Sequence, residues 1–170
     1  MATASHDVHD LAPRERAGDA PSAAGEFGAT LDDIARRCFC LHARMTARAI
    51  TRRYNAALAP LGLEITEFSL LAALAGGGAP SIAALAERLA FERTTLVRNL
   101  KRLAMRRLIE KADRNGRAVR YTLTALGRGL LERAVPLWTA TQDQAESRLD
   151  DGGAESALAA LAALRRALAR

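Results

Sequence analysis

Apolar positions recur along this chain at helical spacing, and the places where the rhythm breaks mark the ends of elements. Between Leu31 and Leu58, one stripe is formed by Leu31, Ile34, Cys38, Leu41 and Met45, and a second by Phe39, Ala43, Ile50, Tyr54 and Ala57. That is the three-to-four spacing of an amphipathic helix. A helix with two apolar faces needs two partners, so the pattern predicts packing between its own domain and another subunit. Thr30 or Asp32 is placed to start it, and Pro60-Leu61-Gly62 to end it. Thr66 is placed to cap a second helix with Phe68, Leu70, Leu71 and Leu74 inside and Gly76-Gly77-Gly78 as its stop. Ser81 then caps a short third helix carrying Ile82, Leu85, Ala86 and Leu89. After a tight connection at Ala90-Phe91-Glu92, a fourth helix runs from Arg93 towards Arg107 with Leu96, Leu100 and Leu103 inward. Two short helices joined by so short a turn form a helix-turn-helix pattern.

The period then changes. Leu108–Ala112 and Arg117–Leu123 read as strands around Arg114-Asn115-Gly116, and Asn-Gly is a strong hairpin signal because both residues tolerate positive φ. Val119, Tyr121 and Leu123 alternate as a half-buried strand should. Thr124 caps a fifth helix from Ala125 to Leu149, in which Pro136 predicts a kink or break. Asp150-Asp151-Gly152-Gly153 separates it from a last Ala/Leu helix with Leu158, Leu161, Leu164 and Leu168. Residues 1–30 show little periodicity and are rich in Ala, Gly, Pro, Ser and charge, the composition of a disordered tail. The expected fold is mainly α: a winged helix-turn-helix at 63–124 with a two-stranded β wing, flanked by long helices at 31–58 and 125–170.

Composition supports this picture and charge sharpens it. The chain of 170 residues is 49% hydrophobic but only 4% aromatic, and its Ala and Leu favour helices. A formal charge of +6 suits a polyanionic partner. The excess is concentrated: within 92–120 ten basic residues face three acidic ones, whereas residues 1–30 are net acidic. Cys38 and Cys40 do not form a disulfide framework, since residues two apart on a helix point in nearly opposite directions. No targeting segment or membrane-length apolar run is visible, so a reducing cytoplasm is the expected compartment and no membrane partner is expected.

Setting Leu96, Leu100 and Leu103 inward turns Thr94, Thr95, Arg98, Lys101 and Arg102 outward. A helix bearing Arg, Lys and small hydroxyls suits the major groove of duplex DNA. Arg98 is the candidate for a base edge, because a guanidinium can bond guanine at two acceptors. Thr94 and Thr95 suit a phosphate or a thymine methyl, and Lys101 and Arg102 phosphates. Arg114, Arg117 and Arg120 cluster around the hairpin, where arginines can enter a minor groove. The competing reading of any such charge run is a solvated face.

The order and spacing of Ile65-Thr66-Glu67-Phe68-Ser69-Leu70-Leu71, Ile82–Leu89, Arg93–Leu103 and Leu123-Thr124-Ala125-Leu126-Gly127-Arg128 resemble the MarR family over residues 31–149. The resemblance implies a homodimer joined by its terminal helices, a winged helix-turn-helix on each side and a pseudo-palindromic operator. It implies a repressor, released by a small aromatic or phenolic effector or by cysteine oxidation. Family members usually show Asp-x-Arg on the wing, whereas this chain has Asn115-Gly116-Arg117. Cys40 and Tyr54 fall where the organic-hydroperoxide-responsive branch has its reactive cysteine and one tyrosine partner, while Ile65 stands near the place of a second tyrosine. Arg36, Arg37 and Arg44 are placed to favour a thiolate at Cys40; Cys38 lies on the apolar stripe as a small hydrophobe. Helix packing without redox chemistry is the alternative for both. Cys38 and His42 are too few ligands for a metal, and no cofactor is expected. No nucleophile elbow, metalloprotease motif or nucleotide-binding glycine loop is present, which argues against an enzyme. A winged helix used only for protein–protein contact is the other alternative, though such interfaces usually centre on aromatic and apolar anchors.

Overall fold

The computed structural model describes residues 23–76, 81–112 and 119–169. Seven helices and one hairpin follow in chain order among them: α1 (Ala23–Arg37), α2 (Phe39–Leu58), α3 (Ile65–Ala75), α4 (Ile82–Leu89), α5 (Arg93–Met105), β1 (Ile109–Ala112), β2 (Arg120–Leu123), α6 (Ala125–Glu146) and α7 (Gly153–Leu168). A single turn of 3-10 helix, Ala59–Leu61, links α2 to α3. The chain forms two compact units, dividing after Arg44.

The first unit departs from expectation in two ways. Helix begins at Ala23, inside the segment expected as a disordered tail; residues 1–22 of that segment lie outside the described residues. The single helix expected from Leu31 to Leu58 is interrupted at Cys38. Side chains there take over backbone hydrogen bonds. Cys38 Sγ accepts from the Leu41 amide at 3.4 Å, as an N-cap does, and the His42 ring Nε2 meets the Arg36 carbonyl at 3.1 Å. The thiol thus serves as a weak cap where no Ser, Thr or Asp is present. Because the interruption falls at Cys38 itself, Cys38 and Cys40 do not sit on one regular helix.

In the second unit, fully buried Leu58, Leu70, Leu71, Leu96, Leu100 and Leu103 form the centre of one core. Helix α3 lies against α6, β2 and α4; α4 packs on α5 and α5 on β1. Trp138 of α6 stacks on Phe68 of α3, with ring centroids 6.1 Å apart, and tilts against Tyr54 of α2 at 6.5 Å. Helix α3 starts two residues earlier than expected. Its N-cap is Glu64, whose backbone N–H donates to Glu67 Oε2 at 3.2 Å, and the next orphan N–H, of Ile65, donates to Asn55 Oδ1 at 2.8 Å.

Pro136 does not break α6, which is continuous from Ala125 to Glu146. The carbonyl a proline leaves unbonded is that of Glu132, and both residues are exposed, so water can satisfy it. Inward-facing Leu130, Leu131 and Ala134 hold the helix on the core. Much apolar surface remains outside any core. Phe27, Leu31 and Ile34 of α1 and Leu158, Leu161 and Leu168 of α7 are exposed, and α7 buries none of its residues.

Candidate nucleic-acid interface

The Ser81 hydroxyl accepts from the Ala84 amide at 3.4 Å and starts α4, as the sequence pattern required. Ala90 ends α4 in the left-handed region (φ 52°), turning the chain within three residues into α5. Leu96, Asn99, Leu100 and Leu103 of α5 are buried, which fixes the rotation of the helix and leaves Arg93, Thr94, Arg98, Lys101 and Arg102 exposed, with Thr95 half-buried. The outer side of α5 forms a shallow groove of about 550 Å³ lined by Arg93, Thr94, Val97, Arg98, Lys101, Arg102 and Met105.

The cations on this face are not equivalent. Arg93, Arg98 and Lys101 make no ion pair among the described residues. Arg102 instead pairs with Glu67 Oε1 at 3.4 Å and lies 3.8 Å from Glu64 Oε1, while Arg106 donates to Glu67 Oε2 at 3.3 Å. Glu67 is the buried neighbour of this face that the sequence pattern does not single out. Only its three-residue spacing from Glu64 hints at a capping carboxylate.

The wing is antiparallel, pairing Ile109 with Leu123, Lys111 with Tyr121 and Ala112 with Arg120. Tyr121 and Leu123 turn towards the core, whereas Val119, expected to share that face, is about half exposed. Arg120 is exposed near the far end of the ladder, and Lys111 joins it as a second exposed cation. The Asn115-Gly116 turn, Arg114 and Arg117 lie outside the described residues. Thr124 secures the base of the wing: its hydroxyl donates to the Arg107 carbonyl at 2.7 Å and accepts from the Gly127 amide at 3.0 Å. Its backbone N–H donates to the Leu108 carbonyl at 3.1 Å. Gly127 is required there, since a Cβ would land on that same carbonyl.

The candidate sensor residues are placed as follows. Cys40 is exposed and Cys38 half-buried, and both are free thiols. Arg36 and Arg37 each pair with Asp33, at 3.7 and 3.2 Å, so their charge is directed along α1. Tyr54 is buried, and its phenol donates to Gln142 Oε1, whose amide in turn donates to Glu146 Oε1 at 2.7 Å. Burial, and secondarily the negative charge of Glu146, hold the Tyr54 pKa above its ordinary value of 10.0. Among the described residues no group of three or more His, Cys, Asp or Glu is arranged to hold a metal ion, and no single helix is long and apolar enough to cross a membrane.

A short helix presenting a cation-bearing second helix, followed at once by an antiparallel hairpin, defines a winged helix-turn-helix protein. The MarR family model matches residues 61–118, which span this unit from α3 into the hairpin. The crystal structure of the Mycobacterium tuberculosis transcriptional regulator MosR is 34% identical, covering 78% of this chain and 98% of that one, with a TM-score of 0.68. MosR in complex with DNA aligns at 34% identity and a TM-score of 0.67, covering 79% and 100%. A MarR family protein of M. tuberculosis in complex with salicylic acid is 26% identical, with a TM-score of 0.59, covering 74% and 95%. No curated protein matches the chain by sequence. The chain belongs to the MarR family of DNA-binding transcriptional regulators.

Proposed function

We propose that the chain acts as a homodimeric repressor that binds a pseudo-palindromic operator, reading bases with Arg98, Thr94 and Thr95 and gripping phosphates with Lys101 and the wing. The observation that carries this reading is the set Arg93, Arg98 and Lys101 on the exposed side of α5, which make no ion pair among the described residues. Cations without protein partners are free to replace the counterions of DNA. On the wing Arg120 and Lys111 are exposed as well, and Arg114 and Arg117 join them on sequence grounds alone. Arg102 lines the same groove, but its phosphate role competes with its carboxylate partners. The exposed apolar positions of α1 and α7 favour a second copy of the chain as their cover. Two-fold symmetry would then set the half-sites about one helical turn, roughly 34–36 Å, apart.

For release, the salicylic acid held by one relative favours a small aromatic acid as effector, and exposed Cys40 favours oxidation as a second route. Free thiols suit a cytoplasmic setting. The test is binding to the DNA upstream of its own gene across a salt series. A dimer neutralising about six to ten phosphates should lose about three to five decades of affinity between about 50 and 200 mM salt. Binding that ignores salt, or that survives Arg98→Ala with Arg117→Ala unchanged, would favour a module that contacts protein instead. Peroxide should release the reduced wild type but not Cys40→Ser; equal release of both removes Cys40 as the sensor.

A further inference from the structure

Glu67 is 1% exposed, yet its carboxylate faces Arg102 of α5 and Arg106, the C-cap of that helix, rather than the apolar core. Its Oε2 accepts from Arg106 Nη1 at 3.3 Å and from the Glu64 amide at 3.2 Å. Its Oε1 lies 3.4 Å from Arg102 Nη2 and has no hydrogen bond. Arg102 Nη2 is also 3.8 Å from Glu64 Oε1, so two carboxylates at the start of α3 draw one guanidinium back from the groove that Arg98 and Lys101 share with it. Arg106 does not cover Oε1. It is bound to the other oxygen, and its guanidinium lies beside the left-handed turn at Gly62, where a Cβ would meet Nη2 at 3.8 Å.

We infer that Glu67 is a positioning residue that withholds Arg102 from DNA phosphates and so limits the affinity of this protein for arbitrary duplex. The inference rests on the DNA-binding reading above. A cation strengthens sequence-independent binding only when it is free to displace counterions. The attraction of an exposed arginine to phosphate is screened by salt, whereas the pull of a buried carboxylate is screened much less. Taking Arg102 away would leave a buried anion with a single cationic partner, Arg106, which makes the exchange unfavourable. Of the cations lining the groove, Arg93, Arg98 and Lys101 are therefore available to phosphates and Arg102 is not. Specificity is the ratio of site affinity to non-specific affinity, so removing a cation from the non-specific part raises it.

The test uses the full chain and a labelled duplex of scrambled sequence, with anisotropy read over a salt series for wild type, Arg102→Ala, Glu67→Gln and the double variant. Gln keeps the shape of Glu67 and removes its charge. The wild type and Arg102→Ala should share one slope of log K against log salt. Glu67→Gln should bind more tightly and steepen that slope by about 0.9 per protomer, one additional phosphate each. The double variant should return to the wild-type slope, an outcome that a merely structural role for Glu67 would not produce. A slope that falls on Arg102→Ala alone overturns the inference, because Arg102 would already be on phosphate; so does Glu67→Gln with an unchanged slope. Arg102→Ala changes an exposed position and decides the matter even where Glu67→Gln fails to fold. A wild type with no salt-dependent duplex binding marks instead the failure of the DNA-binding reading, and the inference falls with it.

Discussion

Gly127 provides a test in which the sign of the effect is set by the structure. In an ordinary helix interior, Gly→Ala is stabilising by about 1 kcal/mol. At position 127 the added Cβ would overlap the Leu108 carbonyl oxygen and lie 2.9 Å from its carbon and 3.2 Å from its Cα. All three are backbone atoms at the start of the wing, so no side-chain rotation relieves the overlap. That carbonyl also accepts the Thr124 amide at 3.1 Å, and the Thr124 hydroxyl bonds Arg107 beside it, so moving α6 outward strains both bonds. Overpacking costs about 1–3 kcal/mol and each weakened hydrogen bond about 1 kcal/mol, against the gain of about 1 in helix propensity. The net expectation is a loss of about 2–4 kcal/mol, or about 4–16 °C in Tm for a chain of this size. Gly129, two residues on in the same helix, has open space where its Cβ would sit, and Gly129→Ala should stabilise by about 0.5–1 kcal/mol. Urea unfolding of both variants, at one protomer concentration, reads the two signs. A Gly127→Ala protein as stable as the wild type would refute the argument, as would equal losses at both positions.

Ala90→Gly should raise stability by about 0.5–1 kcal/mol, since a left-handed Ala costs about 1–2 kcal/mol and glycine's greater unfolded-state freedom takes back only part of the gain. Thermal unfolding checks it, and a lower Tm would show that the Ala90 methyl contributes packing that outweighs the strain. Tyr54 gives a pH-dependent expectation. Its pKa in the folded chain lies above 10.0, so its protonated phenol contributes stability that is complete below pH 10 and lost as pH rises through the folded pKa. Stability of the wild type should therefore fall more steeply above pH 10 than that of Tyr54→Phe. Parallel curves in urea titrations at successive pH values would contradict this.

Much of the DNA-binding unit was legible in the sequence because its signals are local. Leu96, Leu100 and Leu103 set which side of α5 faces out, and Ser81 and Thr124 cap the helices they were expected to cap. The start of α3 was misplaced because Thr66 and Glu64 both offer cap chemistry within two residues; the Glu64–Glu67 pair and Asn55 favour the earlier start. Nothing in the sequence announced the interruption at Cys38, since no Gly or Pro stands there and the stabilising contacts come from a thiol and an imidazole. The helix from Ala23 lies in a segment whose Gly and charge hid its Ala-rich helix propensity. The commitment of Arg102 to Glu67 was out of reach for a different reason. Periodicity orients a residue on its own helix but does not say what another helix, more than thirty residues away in sequence, places beside it.

Base reading by Arg98 of α5 is open to a direct test, the selection of bound sequences from a randomised duplex pool. The wild type should select a two-fold symmetric site with a guanine preferred at one position of each half. Arg98→Ala should lose that preference, by about 1–3 kcal/mol of discrimination, while keeping the remaining positions and the half-site spacing. A variant that selects the same site with the same preference at every position would contradict the account.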